Sequence, residues 1–96
     1  MAQTVVLAAG TTTANSSTIT LTTAPAPVTV YLFSSSTLPK SVQCPVYLNG
    51  PSSTVVFVGN LSQATPILTL TSPGSYYVAR SVNNLDNTAV GIAIEQ

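Results

Sequence analysis

The stretch Ser72-Pro73-Gly74-Ser75-Tyr76-Tyr77-Val78-Ala79-Arg80 decides the fold of this 96-residue chain. Proline fixes its own φ and glycine tolerates dihedrals that other residues avoid, so the Pro-Gly pair marks a tight turn. After the turn, Tyr76 and Val78 alternate with Tyr77 and Ala79, and a period of two is typical of a β-strand with one buried face. We predict that Tyr76 and Val78 point into a core, while Tyr77 and Ala79 point outward.

Working outward from this strand, the rest of the chain shows short β-type segments separated by turn residues. The predicted strands are Thr4–Ala9, Ser17–Thr22, Val28–Phe33, Ser41–Leu48, Thr54–Val58, Ile67–Thr71, Ser75–Ser81 and Thr88–Glu95. Gly10 to Asn15 and Leu61 to Pro66 are predicted connections, and Gly59 and Asn60 are expected to end the fifth strand. Pro45 inside the fourth strand indicates a sheet edge or a bulge. No segment repeats apolar residues at helical spacing over three turns.

Strands at a spacing of roughly 8–12 residues are typical of sandwiches and barrels. We therefore predict one all-β domain covering residues 1–96. The expected architecture is a single small β-sandwich, Ig-like or jelly-roll-like, of about 7–8 antiparallel strands.

The chain is poor in charge, and this limits its partners. Only 4% of residues are charged, namely Lys40, Arg80, Asp86 and Glu95, whereas a soluble domain averages about 25%. Twelve Ser and fifteen Thr take their place. Two basic residues cannot make an electrostatic footprint for nucleic acid or a polybasic membrane surface, and no apolar run approaches 18 residues. We expect neither nucleic-acid nor membrane partners, and a near-zero net charge that favours protein association.

The first residues and the single cysteine bear on where the protein is made. The start, residues 1–10, has no basic leader and too short an apolar run for a signal peptide. Cys44 alone cannot form an internal disulfide. We expect synthesis in the cytoplasm, whereas the Ser/Thr-rich, charge-poor surface is typical of extracellular proteins. A protein assembled inside a cell into a particle that later leaves it would combine both features.

Catalytic and metal-binding groups are scarce. The chain has no histidine, which is the commonest general base and metal ligand. Its two acids, Asp86 and Glu95, fall in a turn cluster and near the last residue, so we expect no carboxylate pair. Cys44 lies in phase with Val42 and Val46, which favours a buried small hydrophobe over a nucleophile. We predict no enzyme activity, no catalytic residue, no metal site and no cofactor.

Apolar side chains on the outward faces suggest an interface. In the fifth strand, Val55 and Phe57 share one face and Val56 and Val58 share the other, which we assign to the outside. Several exposed apolar residues in so small and uncharged a chain suggest a contiguous contact patch. The candidate interface residues are Tyr31, Phe33, Tyr47, Val56, Val58, Tyr77 and Arg80. For Arg80 three roles stay open: covering the core edge, pairing with Asp86, or reaching a partner.

The opening stretch also resembles the tyrosine corner of immunoglobulin-like domains. In that motif a tight turn precedes a tyrosine whose hydroxyl bonds to backbone a few residues upstream. Tyr76 matches the corner tyrosine, and Val78 takes the place of the inward cysteine. The cysteine pair and the tryptophan of those domains are absent here.

Four segments in succession resemble small virion proteins of tailed bacteriophages, and head decoration (cement) proteins most of all. These are Val46-Tyr47-Leu48-Asn49-Gly50-Pro51, Gly59-Asn60-Leu61, Ser72-Pro73-Gly74-Ser75-Tyr76-Tyr77-Val78 and Val90-Gly91-Ile92-Ala93-Ile94. The resemblance implies a non-enzymatic protein on the capsid exterior that binds itself, as a dimer or trimer, and a major capsid protein. An alternative is a glycan- or receptor-binding module of a phage spike, fibre or adhesin, with Tyr31, Tyr47 and Tyr77 stacking on sugar rings.

Overall fold

A computed structural model describes residues 3–21, 27–81, 85 and 88–95 of the chain. These ranges contain nine strands and no α-helix. The strands are β1 (Gln3–Gly10), β2 (Ala14–Asn15), β3 (Ile19–Leu21), β4 (Val28–Phe33), β5 (Gln43–Asn49), β6 (Val55–Ser62), β7 (Ile67–Leu70), β8 (Gly74–Arg80) and β9 (Val90–Glu95). A single turn of 3₁₀-helix, Pro51–Ser53, connects β5 to β6. One of the three roles left open for Arg80, pairing with Asp86, involves a residue outside the described ranges.

The strands form two antiparallel sheets packed face to face, and the β-sandwich expected from the sequence is confirmed. Sheet I has the order β1-β9-β4-β7, and sheet II has the order β2-β8-β5-β6, with β3 also paired to β8. The pairs are nested, because β1 meets β9, β2 and β3 meet β8, β4 meets β7, and β5 meets β6. This nesting is the jelly-roll arrangement. In an Ig domain the last two strands neighbour each other in one sheet, whereas here β8 and β9 lie in different sheets.

The core lies between the sheets and is built by period-two alternation. In β4, every second residue is buried, so Val28, Val30 and Leu32 face the core while Tyr31 and Phe33 face outward. The buried hydrophobic residues are Ile19, Leu21, Val28, Val30, Leu32, Val42, Cys44, Val46, Leu61, Leu70, Tyr76, Val78, Leu85, Val90, Ile92 and Ala93. The predicted inward positions of Tyr76 and Val78 are therefore confirmed.

Ser16 and Ser17, between β2 and β3, form hydrogen bonds to both sheets at one side of the sandwich. Between β2 and β3, the amide of Ser16 donates to the carbonyl of Val78 (2.8 Å), and the amide of Val78 donates to Ser16 Oγ (2.9 Å). The next residue turns to the other sheet, since the amide of Ser17 donates to the carbonyl of Val6 in β1 (2.9 Å). The sequence placed residues 10–15 in a loop and missed β2, which has two residues only.

The fifth predicted strand is longer than expected and has a different phase. It runs to Ser62, so Gly59 and Asn60 do not end it. The register jumps from Val46↔Gly59 to Tyr47↔Phe57, which leaves Val58 as the extra residue of a β-bulge. Opposite residues share a face, so Phe57 points outward beside Tyr47. The assignment of Phe57 to the inner face was therefore wrong. The extra residue of the bulge shifts the inward and outward alternation by one position, and the sequence pattern does not show this shift.

Pro45 lies at the end of the ladder between β5 and β8. That ladder covers only Val46, Tyr47 and Leu48. Gly50 donates to the carbonyl of Thr54 at the hairpin end, and antiparallel pairs alternate between hydrogen-bonded and non-hydrogen-bonded. By this alternation the nitrogen of Pro45 faces β8, where a strand residue would donate. The proline therefore ends the pairing without costing a bond to β6.

Candidate interaction surfaces

The predicted interface residues do not form one patch. Tyr31 and Phe33 lie on the outer face of sheet I, whereas Tyr47 and Tyr77 lie on the outer face of sheet II. Val56 and Val58 are exposed on β6, at the edge of sheet II. Arg80 is inside the protein and 4% exposed. The described residues thus present three apolar surfaces, which we name the recess, the aromatic row and the β6 edge; the last two adjoin on sheet II and share Phe57.

The recess lies on sheet I and is a shallow depression of about 430 Å³. It is lined by Gln3, Val5, Tyr31, Phe33 and Ala93. The register brings Val5, Ala93 and Tyr31 side by side on β1, β9 and β4. The middle strand carries the small residue, so a low floor forms between two larger neighbours. Gln3 closes one end, where its amide donates to Glu95 Oε2 (3.1 Å).

Two more residues shape this face. The end of the Phe33 ring lies over Gly91, where a Cβ would clash with the ring atoms. Glycine at position 91 therefore makes room for the Phe33 ring. Ile67, opposite Tyr31 on β7, extends the apolar surface and is 58% exposed. The sequence placed Ile67 in a strand without assigning it an outward face, although alternation with buried Leu70 carries that signal.

The aromatic row crosses three strands of sheet II. Tyr77 of β8, Tyr47 of β5 and Phe57 of β6 stand opposite one another. The Tyr47 and Tyr77 ring centroids are 5.3 Å apart with planes tilted by 32°, and Phe57 meets Tyr47 edge-on at 6.1 Å. Both separations are within the range of favourable aromatic pairs. The row is therefore a mostly apolar band of three contacting rings.

The β6 edge comprises four consecutive exposed residues, Val55–Val58. Their exposed fractions run from 40% for Val58 to 56% for Phe57. Val56 lies opposite Leu48 on the core side of the sheet, yet half of its surface is exposed, so this end of β6 extends beyond the core. None of the four charged residues of the chain lies in β5, β6 or the turn between them.

Arg80 binds backbone within the chain. Its Nε donates to the Thr12 carbonyl (2.8 Å), and Nη1 donates to the carbonyls of Ala8 (2.9 Å) and Val90 (2.6 Å). These acceptors belong to β1, the following loop and β9, so the guanidinium joins strands of both sheets. Arg80 covers the core edge, which is one of the roles left open by the sequence, and it is not part of an exposed surface.

The chemistry of the described residues is sparse. Burial raises the pKa of the Cys44 thiol to about 11, against a smaller opposite effect of the Arg80 charge. The thiol is fully buried, as its phase with Val42 and Val46 indicated. Over the described ranges, no three His, Cys, Asp or Glu side chains are grouped to hold a metal ion. The same part of the chain has no helix long and apolar enough to cross a membrane.

Models of known protein families and curated protein sequences give no match to this chain. The surfaces described above therefore carry the functional argument.

Proposed function

We propose that the protein is a non-enzymatic structural component of a virus particle, which docks on the outside of a capsid and reinforces contacts between major capsid subunits. One observation carries the proposal. The sandwich presents the recess and the aromatic row on opposite outer faces, and the chain has only four charged residues. A protein that reinforces an assembly must touch more than one neighbour, and two apolar faces allow this.

The fold and the surface composition support the same proposal. Jelly rolls occur in viral capsid proteins, as well as in lectins and cupins. Contact through apolar and hydroxyl-rich β surface needs no chemistry, and each Å² of apolar surface buried contributes about 25 cal/mol before the costs of association. A copy that contacts two capsid subunits at once would gain avidity from the second contact.

A sedimentation experiment tests the proposal. The genes beside the one for this chain should include a major capsid protein, and capsids assembled from that protein serve as the target. We expect the chain to cosediment with these capsids and to raise the temperature at which they disassemble. A chain that stays in the supernatant at every concentration would refute the proposal.

Variants in the recess sharpen the test. Val5 is 58% exposed, so Val5→Lys should leave the fold intact while placing a charge in the recess. Thr37→Lys adds the same charge at an exposed residue outside the recess and the β6 edge. We expect Val5→Lys to weaken capsid binding and Thr37→Lys to leave it unchanged.

The aromatic row favours a second candidate function, a glycan-binding module. Rings of Tyr77, Tyr47 and Phe57 offer apolar faces of the kind that stack on sugar rings, and the row crosses three strands. A glycan array distinguishes the candidates. Specific hits that disappear in Tyr77→Ala, together with no capsid binding, would favour the glycan-binding function.

A further inference from the structure

We propose that two copies of the chain pair through the β6 edge. Their β6 strands run antiparallel, with the two-fold axis at Val56, and the pairing joins the two copies of sheet II into one continuous sheet. The resemblance to decoration proteins implies self-association, and this contact would supply it. The pairing rests on the proposed function only for its biological purpose. The argument begins with the edges of the two sheets.

Of the edge strands in the described residues, β6 is the best suited to pairing. β7 has four residues, and β2 and β3 are separated by the turn at Ser16 and Ser17. β1 has eight residues, but its register shifts twice and the carbonyl of Val6 already accepts from Ser17. β6 also has eight residues, shifts only once and, among the described strands, pairs with β5 alone. A long apolar edge with no charge or proline is the kind that adds another strand.

The direction of the free backbone groups fixes the register. The amide of Gly50 donates to the carbonyl of Thr54 at the end of the hairpin (2.8 Å), so these groups of both residues point across the pair. Alternation then directs the N–H and C=O groups of Val56 toward β5, and those of Val55 and Phe57 toward the open edge. Centred on Val56, a second copy places its Phe57 opposite Val55, so that both residues exchange hydrogen bonds. Centring on Phe57 would run the ladder across the bulge at Val58.

The side chains favour a second copy over a charged partner. Across the axis, the 56%-exposed ring of Phe57 lies beside Val55 of the second copy, on the outer face, and the two aromatic rows become neighbours. A two-fold contact needs only one surface that complements itself. Because β5, β6 and their turn contain no charged residue, self-pairing meets no like-charge repulsion, and a charged partner would find no opposite charge.

The mass of the purified full chain in solution tests the pairing. We expect twice the 9.8 kDa of one chain, measured by light scattering during size exclusion. Val55→Pro removes an N–H that points to the edge and is not needed by β5. Thr54 before it is already extended, at φ −91 and ψ 166, as a residue preceding proline prefers. We expect a folded monomer.

Two substitutions at Val56, each with a matched control at Ile67, keep the test decisive if Val55→Pro does not fold. Val56→Lys places two like charges at the axis and should weaken dimerisation about 100-fold. Ile67 on sheet I is exposed to a similar extent as Val56 (58% against 50%). Ile67→Lys is therefore the control and should leave the dimer intact. Val56→Cys should form a covalent dimer on mild oxidation, since facing residues lie about 5 Å apart, while Ile67→Cys should not.

Three results would overturn the pairing: a chain that stays monomeric, a trimer, or a dimer that survives both Val55→Pro and Val56→Lys. The outcomes separate from those of the capsid experiment. If Val56→Lys is monomeric and still binds capsids, both the β6 pairing and the capsid docking are supported. Docking then does not require the contact between copies. A wild-type dimer that binds no capsid refutes the proposed function and leaves the pairing standing.

Discussion

The hydroxyl of Tyr76 donates a 2.6 Å hydrogen bond to the carbonyl of Ser72, four residues upstream. The bond spans the Pro73-Gly74 turn, while the ring of Tyr76 is 3% exposed in the core. One side chain therefore fixes the turn and fills the interior. This is the hydrogen bond of a tyrosine corner, here at the start of a jelly-roll strand.

Truncating the two adjacent tyrosines should have unequal effects on stability. We expect Tyr76→Ala to lower the free energy of unfolding by about 3–5 kcal/mol, as for other large buried aromatics. Tyr76→Phe removes only the hydrogen bond and should cost about 1 kcal/mol. Tyr77→Ala should cost less than Tyr76→Ala, because Tyr77 lies on the outer face. Urea unfolding measures all three changes. A larger loss of stability for Tyr77→Ala than for Tyr76→Ala would show that the inner and outer faces of β8 are assigned the wrong way round.

Gly74 begins β8 with a backbone that other residues rarely adopt. Its φ is +151°, and a Cβ at this position would lie 2.7 Å from Leu48 Cδ1. We expect Gly74→Ala to cost about 1–3 kcal/mol through backbone strain, with further loss if Leu48 cannot move. Thermal unfolding measures the effect. Gly59→Ala, whose Cβ would meet Leu68 at 3.4 Å, is the milder comparison, and equal costs would argue against strain at Gly74.

Arg80 should contribute to stability far more than the other basic residue. Arg80→Met keeps much of the side-chain volume but leaves the carbonyls of Ala8 and Val90 without their donor. Hydrogen bonds from charged groups contribute about 1.5–3 kcal/mol each, so we expect a loss of about 3 kcal/mol or more. Lys40→Met, at an exposed site, should change stability by less than about 0.5 kcal/mol. Comparable losses in urea unfolding would contradict this view.

The buried thiol predicts a loss of stability in alkali. The pKa of Cys44 is about 11 in the folded protein against an ordinary 9.0, so the folded state holds its proton more tightly. The stability from this difference is complete below about pH 9. It falls by about 1.4 kcal/mol per pH unit as the pH rises toward 11.

A cysteine-free variant isolates that contribution from the tyrosines. Cys44→Ala lowers stability at every pH by removing buried atoms, but it should flatten the decline between pH 9 and 11. The measurement is the free energy of unfolding in urea at several alkaline pH values. Parallel curves for both proteins would show that the thiol does not cause the decline.

Alternation predicted most of the sandwich, because a buried face imposes a period of two on the residues that line it. Val28–Phe33 shows this best, with the predicted bounds equal to those of β4. The extent of β6 could not be predicted, since the bulge at Val58 depends on pairing with β5. The two-residue β2 is too short for any period to show.

The sequence predicted most of the residues in the candidate surfaces, but not how these residues are grouped on the folded protein. Tyr31 and Tyr47 carry the same outward signal, yet the topology puts them on opposite sheets. Arg80 is in phase with Tyr76 and Val78, which correctly indicates the inner face. Two of its three carbonyl acceptors, Thr12 and Ala8, lie about seventy residues away along the chain, and no local pattern in the sequence predicts them.

The turn at Ser16 and Ser17 has a consequence for the size of any assembly. By directing one amide to Val78 and the next to Val6, these serines interrupt the edge of sheet II that lies opposite β6, where only the short β2 and β3 pair with β8. Short edge strands disfavour the addition of another strand. Under the proposed pairing, this interrupted edge would favour a closed pair over a growing filament.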